Sequence, residues 1–342
     1  MDTALEYRIE NVELEITNAC SHKCPYCYVG DVTDKEDIYY SDYSTICEII
    51  DKLDEYGAKV IALLGGDPVR HPRIMDIMRY IKKNTSISVS IMSNTLDFGD
   101  ISVDEVAKYI DNIDFTLHGK DAVEHERFCG GHPGLYNDVM SKLRRYIACG
   151  VNVNIAINII PSNFNKIYEM VESVIRNDVN FSTLLLQRIL PLGRAKDSAS
   201  YDLDAEKIKI AFEQITRAEK DFDIEISFED PFPWCYVPSE YHKYMKGCPE
   251  GINRMPIRGN GLISSCGALG DAALGNILTD SYEKVWLMNQ RFCEFRSGSF
   301  LTNEKCVGCE YKKECRGGCP VRYIISEERG EPFWKKFENY GL

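Results

Sequence analysis

The chain has 342 residues, 44% hydrophobic and 27% charged, with a formal net charge of −13. That length and composition suit a globular protein with a substantial core, and the acidic balance excludes a nucleic-acid backbone as main partner, because no basic excess is available to neutralise phosphates. The first residues carry no basic-then-apolar leader and no apolar run reaches membrane-spanning length, which points to a cytoplasmic protein without a membrane partner.

Strand-like runs at 12–17, 59–64, 86–92, 112–118, 151–160 and 181–190 alternate with helical stretches near 44–56, 71–83, 102–110, 136–149, 164–177 and 203–219. Six βα units in series predict a parallel sheet with right-handed crossovers. The strands are polar on one face: Val12, Leu14 and Ile16 alternate with Glu13, Glu15 and Thr17, and Val153, Ile155 and Ile157 with Asn152, Asn154 and Asn158. Parallel strands covered on both faces read as continuous apolar runs. Here the helices should cover the apolar side while the other side lines a wet cavity, so the expected α/β fold is an open, TIM-like partial (β/α)6 barrel over 1–225 rather than a filled eight-stranded one. The segment EDPFPWCYVPSE, with three prolines, cannot continue a helix or a central strand. It marks a bridging segment at 226–246, followed by a small cysteine- and glycine-rich domain at 247–342.

Fourteen cysteines in a reducing compartment point to metal or cluster ligation rather than disulfides. Cys20, Cys24 and Cys27 form C-x3-C-x2-C after the first strand. Three thiolates on one loop hold three corners of a cubane cluster and leave one iron open for chemistry, whereas an electron-carrying cluster is usually closed by four cysteines. His22 inside the loop leaves a Cys3His zinc site as the alternative. Cys248, Gly261 and Cys266 give C-x12-G-x4-C, and Cys306, Cys309, Cys315 and Cys319 give C-x2-C-x5-C-x3-C, with a zinc ribbon as the alternative there. Cys47 and Cys149 fall in helical stretches and read as packing residues. Cys129, Cys235 and Cys293 are isolated, and Cys235 or Cys293 can fill a vacancy in either cluster.

Ligands of α/β sheets gather at the carboxyl ends of the strands. There this chain places the cysteine loop, Gly65-Gly66-Asp67-Pro68, Ser93-Asn94, Thr116-Leu117-His118, Asn158 and Pro191-Leu192-Gly193-Arg194. Bare backbone and one carboxylate after the second strand suit an ammonium group.

With CxxxCxxC after strand one and a GGDP turn after strand two, residues 10–220 resemble the radical S-adenosylmethionine (SAM) superfamily. The resemblance implies that Cys20, Cys24 and Cys27 bind a [4Fe–4S] cluster whose open iron chelates SAM, and that Tyr26 lies near the adenine. It places Gly65, Gly66 and Asp67 at the methionine amino group, with Asn94, Thr116, His118 and Asn158 at the ribose and methionine. Asp67 stands where the family usually has Glu. The later array is similar to the SPASM domain, which implies one or two auxiliary [4Fe–4S] clusters, the first held by Cys248, Cys266 and Cys319 and the second by Cys306, Cys309 and Cys315. The family's final cysteine is missing: no cysteine follows Cys319.

Enzymes of this architecture cleave SAM reductively to a 5′-deoxyadenosyl radical that removes hydrogen from a substrate carbon. The resemblance implies a maturase of a ribosomally made peptide, forming a cross-link or inverting a Cα centre, served by an electron donor such as flavodoxin or ferredoxin. Only about ten residues precede the first strand, so leader recognition is expected from the barrel, the C-terminal domain or a separate protein. An epimerase would need a thiol to return hydrogen, with Cys235 and Cys129 as candidates. The alternatives are a small-molecule enzyme acting on a sugar or tetrapyrrole, a sulfatase-maturase-like activity (disfavoured by Cys266-Gly267 where that group resembles Cys-Asp), and a non-enzymatic electron carrier or zinc module. The aromatic tail (Phe333, Trp334, Phe337, Tyr340) reads as a patch docking on the barrel.

Overall fold

The computed structural model describes residues 7–30, 38–196, 201–269, 273–301 and 304–322. Strands β1 (Asn11–Thr17), β2 (Val60–Gly65), β3 (Ser88–Met92), β4 (Asn112–Thr116), β5 (Asn152–Asn158), β6 (Thr183–Gln187) and β7 (Glu225–Phe228) pair in sequence order, every pair parallel. Helices α1 (Tyr43–Glu55), α2 (Ile74–Asn84), α3 (Val103–Val106), α4 (Ala122–Cys129), α5 (Leu135–Ala148), α6 (Ile167–Arg176) and α7 (Ala205–Phe222) connect them.

The alternation in the strands is what builds the barrel. Val12, Leu14, Ile16, Ile113, Phe115, Val153, Ile155 and Ile157 are buried and join one core with Ile46, Ile49, Ile50 and Leu53 of α1. Each such aliphatic side chain contributes about 1.5–3 kcal/mol on burial. Asp42 caps α1 by accepting the Thr45 N–H at 3.0 Å, worth about 1 kcal/mol. The alternate residues face inward: Glu13, Ala62, Ser90, Asn112, Asp114, Asn154, Leu185, Gln187 and Glu229 all line one cavity. A sheet whose strands from β1 to β6 present one face to the same cavity is curled around it, which is the expected partial barrel with a polar interior.

Three features go beyond the pattern read from sequence. Helix α4, only eight residues long, separates β4 from α5; it is defined by its ends, with the Asp121 carboxylate accepting the Glu124 N–H at 2.9 Å and Gly130 in the left-handed region at φ 68°. Strand β7, four residues long, adds a seventh parallel strand beside β6. Beyond the proline-rich segment, β8 (Arg254–Arg258) pairs in parallel with β1, and β9 (Leu262–Ile263) and β10 (Gly275–Asn276) continue antiparallel, so one ten-stranded sheet runs through the chain. Helix α8 (Gln290–Ser297) follows. The aromatic tail lies outside the described residues. Among those described, no helix is long and apolar enough to cross a membrane.

Candidate active site

The cysteine loop leaves the carboxyl end of β1 and is pinned by backbone from three directions. From the β2 side, Gly66 N–H donates to Thr17 O at 3.0 Å and Asp67 N–H to Ala19 O at 2.7 Å. Lys23 N–H donates to the carbonyl of Cys129 at the end of α4, 2.9 Å away. From the loop after β6, Arg194 N–H donates to Cys27 O at 3.0 Å and its guanidinium to Cys24 O at 3.2 Å. Glycine is required at two of these contacts: a Cβ on Gly66 would overlap the Ala19 and Asn18 carbonyl oxygens, and one on Gly193 those of Cys27 and Tyr28.

Burial pushes the Cys20 thiol up to about 11 and raises Cys24 further, helped by the charges of Cys129, Cys27 and Cys20. Thiols held this close and this dry stay protonated unless a cation compensates them, which iron does on ligation. The three cysteines therefore fit a cluster. Among the described residues no three His, Cys, Asp or Glu side chains converge as a single-ion site requires, so the zinc alternatives gain no geometric support.

Cys24, Cys27, Tyr26, Gly65, Gly66, Asn94, Thr116, His118 and Asn158 all line a cavity of about 650 Å³, within the size range of small-molecule sites. Tyr26 Oη lies 2.8 Å from His118 Nδ1 and accepts from Asn158 Nδ2 at 3.0 Å, while His118 Nε2 stands 3.9 Å from Cys24 Sγ. Burial drives the His118 imidazole well below its usual range and the Tyr26 phenol well above its own. The ring thus favours its neutral form, with one nitrogen toward the Tyr26 phenol and the other toward Cys24 Sγ. The Oδ1 of Asn94 is buried without a partner. An orphan acceptor on a cavity wall, next in the fold to a glycine turn, is what a bound polar ligand such as SAM would satisfy.

Asp67 differs from its expected place. Its carboxylate accepts from Thr95 Oγ1 at 2.9 Å and from Val69 N–H at 3.3 Å, is 1% exposed, and is not among the cavity-lining residues. It ties the Gly65-Gly66 turn to the turn after β3, leaving the backbone of the glycines to face the cavity. Cys129, the last residue of α4, is fully buried behind the cysteine loop, and Cys235 is exposed on a 3-10 turn; neither lines the cavity.

The C-terminal cysteines divide. Cys248, Cys266 and Cys319 line the far end of the same cavity, and their thiols raise one another beyond what burial does. Cys306, Cys309 and Cys315 lie outside it, also within reach of one another's charge. Between the two ends lies a polar floor that the sequence did not announce. Arg254 donates to Glu13 Oε1 at 3.2 Å and to Glu229 Oε2 at 2.5 Å. Asp230 is pushed up to about 7, by burial first and then by Glu229 and Glu13. Glu250 is 5% exposed with one carboxylate oxygen unpartnered. Glu13 was visible as a polar strand position, but Glu229, Asp230, Glu250 and Arg254 come from segments whose sequence reads only as loop. Cys47, Cys149 and Cys293 stand apart; Cys293 Sγ donates to Leu287 O at 3.4 Å.

A partial parallel barrel, three thiols at the end of β1, a glycine cradle beside them and a second cysteine group across the cavity define an iron–sulfur enzyme that uses SAM. The chain belongs to the radical SAM superfamily: residues 14–181 match the family model described as the radical SAM superfamily, and residues 248–310 match SPASM, an iron–sulfur cluster-binding domain. It is similar to the AdoMet-dependent heme synthase of Oleidesulfovibrio alaskensis (23% identity, covering 90% of this chain and 81% of that one). It is also similar to the sporulation killing factor maturation protein SkfB of Bacillus subtilis (23%, 86% and 68%). The crystal structure of Streptococcus suis SuiB bound to S-adenosylmethionine shares the fold with a TM-score of 0.74 at 20% identity, over 93% of this chain and 75% of that one. Bound together, the [4Fe–4S] cluster and SAM supply a radical able to take hydrogen from an unactivated carbon. The protein's part is to hold the loop by backbone contacts and to set it, with His118 beside Cys24, at the wall of the cavity.

Proposed function

We propose that this enzyme removes a hydrogen atom from a ribosomally made peptide and leaves it cross-linked or epimerised, in the cytoplasm, with electrons from a flavodoxin or ferredoxin. The observation that carries the reading is the carboxyl-rich make-up of the cavity wall. Six carboxyl groups (Glu13, Asp111, Asp114, Glu229, Asp230, Glu250) line it beside two guanidiniums, Arg188 and Arg254, and burial shifts Glu13, Asp114, Asp230 and Glu250 toward their neutral, hydrogen-bond-donating forms. Both guanidiniums are engaged, Arg254 by Glu13 and Glu229 and Arg188 by the Pro231 carbonyl at 3.1 Å. A peptide side chain, neutral or cationic, meets such a wall without a like-charge penalty.

The tetrapyrrole reading draws on the heme synthase relatives, named as such at 23% identity. It requires a substrate bearing several carboxylates to enter a carboxyl-rich wall whose two guanidiniums are already engaged by the protein. SkfB, a maturation protein, and SuiB, whose fold is also known bound to precursor peptide SuiA, support the peptide reading.

The test is anaerobic reconstitution with SAM and dithionite, followed by co-expression with short reading frames neighbouring the gene. Formation of 5′-deoxyadenosine with a peptide lighter by two hydrogens means a cross-link, and unchanged mass with an inverted residue means epimerisation. Turnover of a tetrapyrrole with every peptide untouched would overturn the peptide reading. Absence of 5′-deoxyadenosine from the fully loaded protein under all conditions would overturn the chemistry.

A further inference from the structure

The C-terminal cysteine array is split by the fold. Cys306, Cys309 and Cys315 form a group of three, while Cys319, the next cysteine of the array, lines the cavity with Cys248 and Cys266. The fold brings a fourth thiol from elsewhere. The proline-rich segment between β7 and β8 lies directly on 315–318: Trp234 N–H donates to Cys315 Sγ at 3.4 Å. A Cβ on Gly318 would meet Pro233 N at 2.6 Å and the Phe232 carbonyl carbon at 2.8 Å. The Trp234, Tyr311 and His242 rings pack together in a triangle, 5.3–5.4 Å apart.

Cys235 follows in the 3-10 turn Trp234–Tyr236. Besides burial, the charges acting on its thiol are those of Cys315, Cys306 and Cys309. The thiols acting on Cys248 and Cys266 belong to the other group. Cys235 is exposed as a residue although its thiol is turned toward crowded surroundings that raise it, which is not the environment of a buried hydrophobe. Cys293 is the remaining cysteine nearby in sequence, and its sulfur is turned to Leu287 O on the turn before its own helix.

We propose that Cys235 supplies the fourth thiolate to Cys306, Cys309 and Cys315, so that the outer auxiliary [4Fe–4S] cluster is closed by a residue from the bridging segment. The inner group, Cys248, Cys266 and Cys319, then keeps three thiolates and an open position toward the cavity. A closed outer cluster is suited to carrying electrons and an open inner one to meeting substrate. Both parts rest on the cofactor reading of the SPASM domain and are independent of which substrate is used.

The test measures clusters rather than turnover. Wild type, Cys235→Ala, Cys235→Ser and Cys293→Ala are reconstituted anaerobically and analysed for iron, acid-labile sulfide and the paramagnetic spectra of the reduced and oxidised proteins. Cys235→Ala is expected to lose about a third of the iron, one cubane of three, or to show a three-iron signal, with Cys293→Ala unchanged. The SAM-induced change in the first cluster's spectrum reports whether the barrel is intact. Full iron and an unaltered spectrum in Cys235→Ala would overturn the proposal. Should the variants fail to fold, iodoacetamide mapping of the wild-type protein decides: Cys235 should be protected in the loaded protein and alkylated after iron removal, while Cys293 reacts in both. Equal labelling of Cys235 and Cys293 in the loaded protein overturns it too. Wild type lacking all iron would instead overturn the underlying cofactor reading.

Discussion

Asn94 keeps a buried oxygen without a partner on a wall where a ligand is expected. An unmade buried hydrogen bond costs about 1–3 kcal/mol, a burden that the ligand-free protein bears and a ligand relieves. Asn94→Leu should therefore leave the thermal midpoint of the SAM-free protein unchanged or higher while weakening SAM about tenfold, read by melting and by SAM titration of the reconstituted enzyme. A lowered midpoint with intact affinity would make Asn94 a structural residue. Gly66 is the opposite case, since a methyl there strikes two backbone carbonyls that cannot rotate away. Gly66→Ala should cost several kcal/mol and strip the first cluster of its iron, measured by denaturation midpoint and iron analysis. At this scale the residue types at the strand ends were legible from sequence, because bare glycines, thiols and small polar groups have few other reasons to gather there. Their orientations were not. Asp67 faces Thr95 and Val69 rather than the cavity because a short carboxylate two bonds from the backbone caps its own turn first.

Strands β1 to β6 were readable because each must divide apolar from polar along a period of two. Strand β8, RMPIR, carries a proline and reads as loop, yet it is the strand that covers β1. It also delivers Arg254 between Glu13 and Glu229, two carboxylates from opposite ends of the parallel run. Removing one partner of a buried ion pair leaves the others uncompensated, at about 3–5 kcal/mol. Burial already raises the Glu13 carboxyl above its usual value, with Arg254 opposing the rise. A carboxyl raised in the folded state favours folding only where it is protonated, and that contribution is lost as pH rises through its folded value. Arg254→Met lifts Glu13 further, so its stability deficit should be small near pH 5 and largest near pH 8, followed by denaturant midpoints across that range. A deficit independent of pH would show that Arg254 stabilises by packing alone.

Across the whole molecule, order is distributed unevenly. One apolar core runs through both parts, but residues 11–228 hold seven strands, whereas residues 254–322 hold strands of five, two and two residues and short helices. Such a region depends on its clusters for stability, as metal-held domains do. Removal of iron by anaerobic oxidation and chelation should open trypsin sites within 259–322 first and leave a barrel fragment intact, as peptide mapping would show. Simultaneous cleavage throughout would mean that the clusters do not hold the C-terminal part.

The pairing of β8 with β1 has a consequence in time. Asn11 meets Arg254 and Glu15 meets Arg258 across more than two hundred residues of chain, and Trp286 Nε1 donates to Tyr7 O at 3.1 Å from later still. During synthesis the first strand emerges early, and its outer edge is bare until β8 has been made. The cysteine loop hangs from the end of that same strand. The loop's anchors come from the β2 side, α4 and the loop after β6, all made before β8, so the cysteine loop can be fastened on one side of β1 while its other edge still waits.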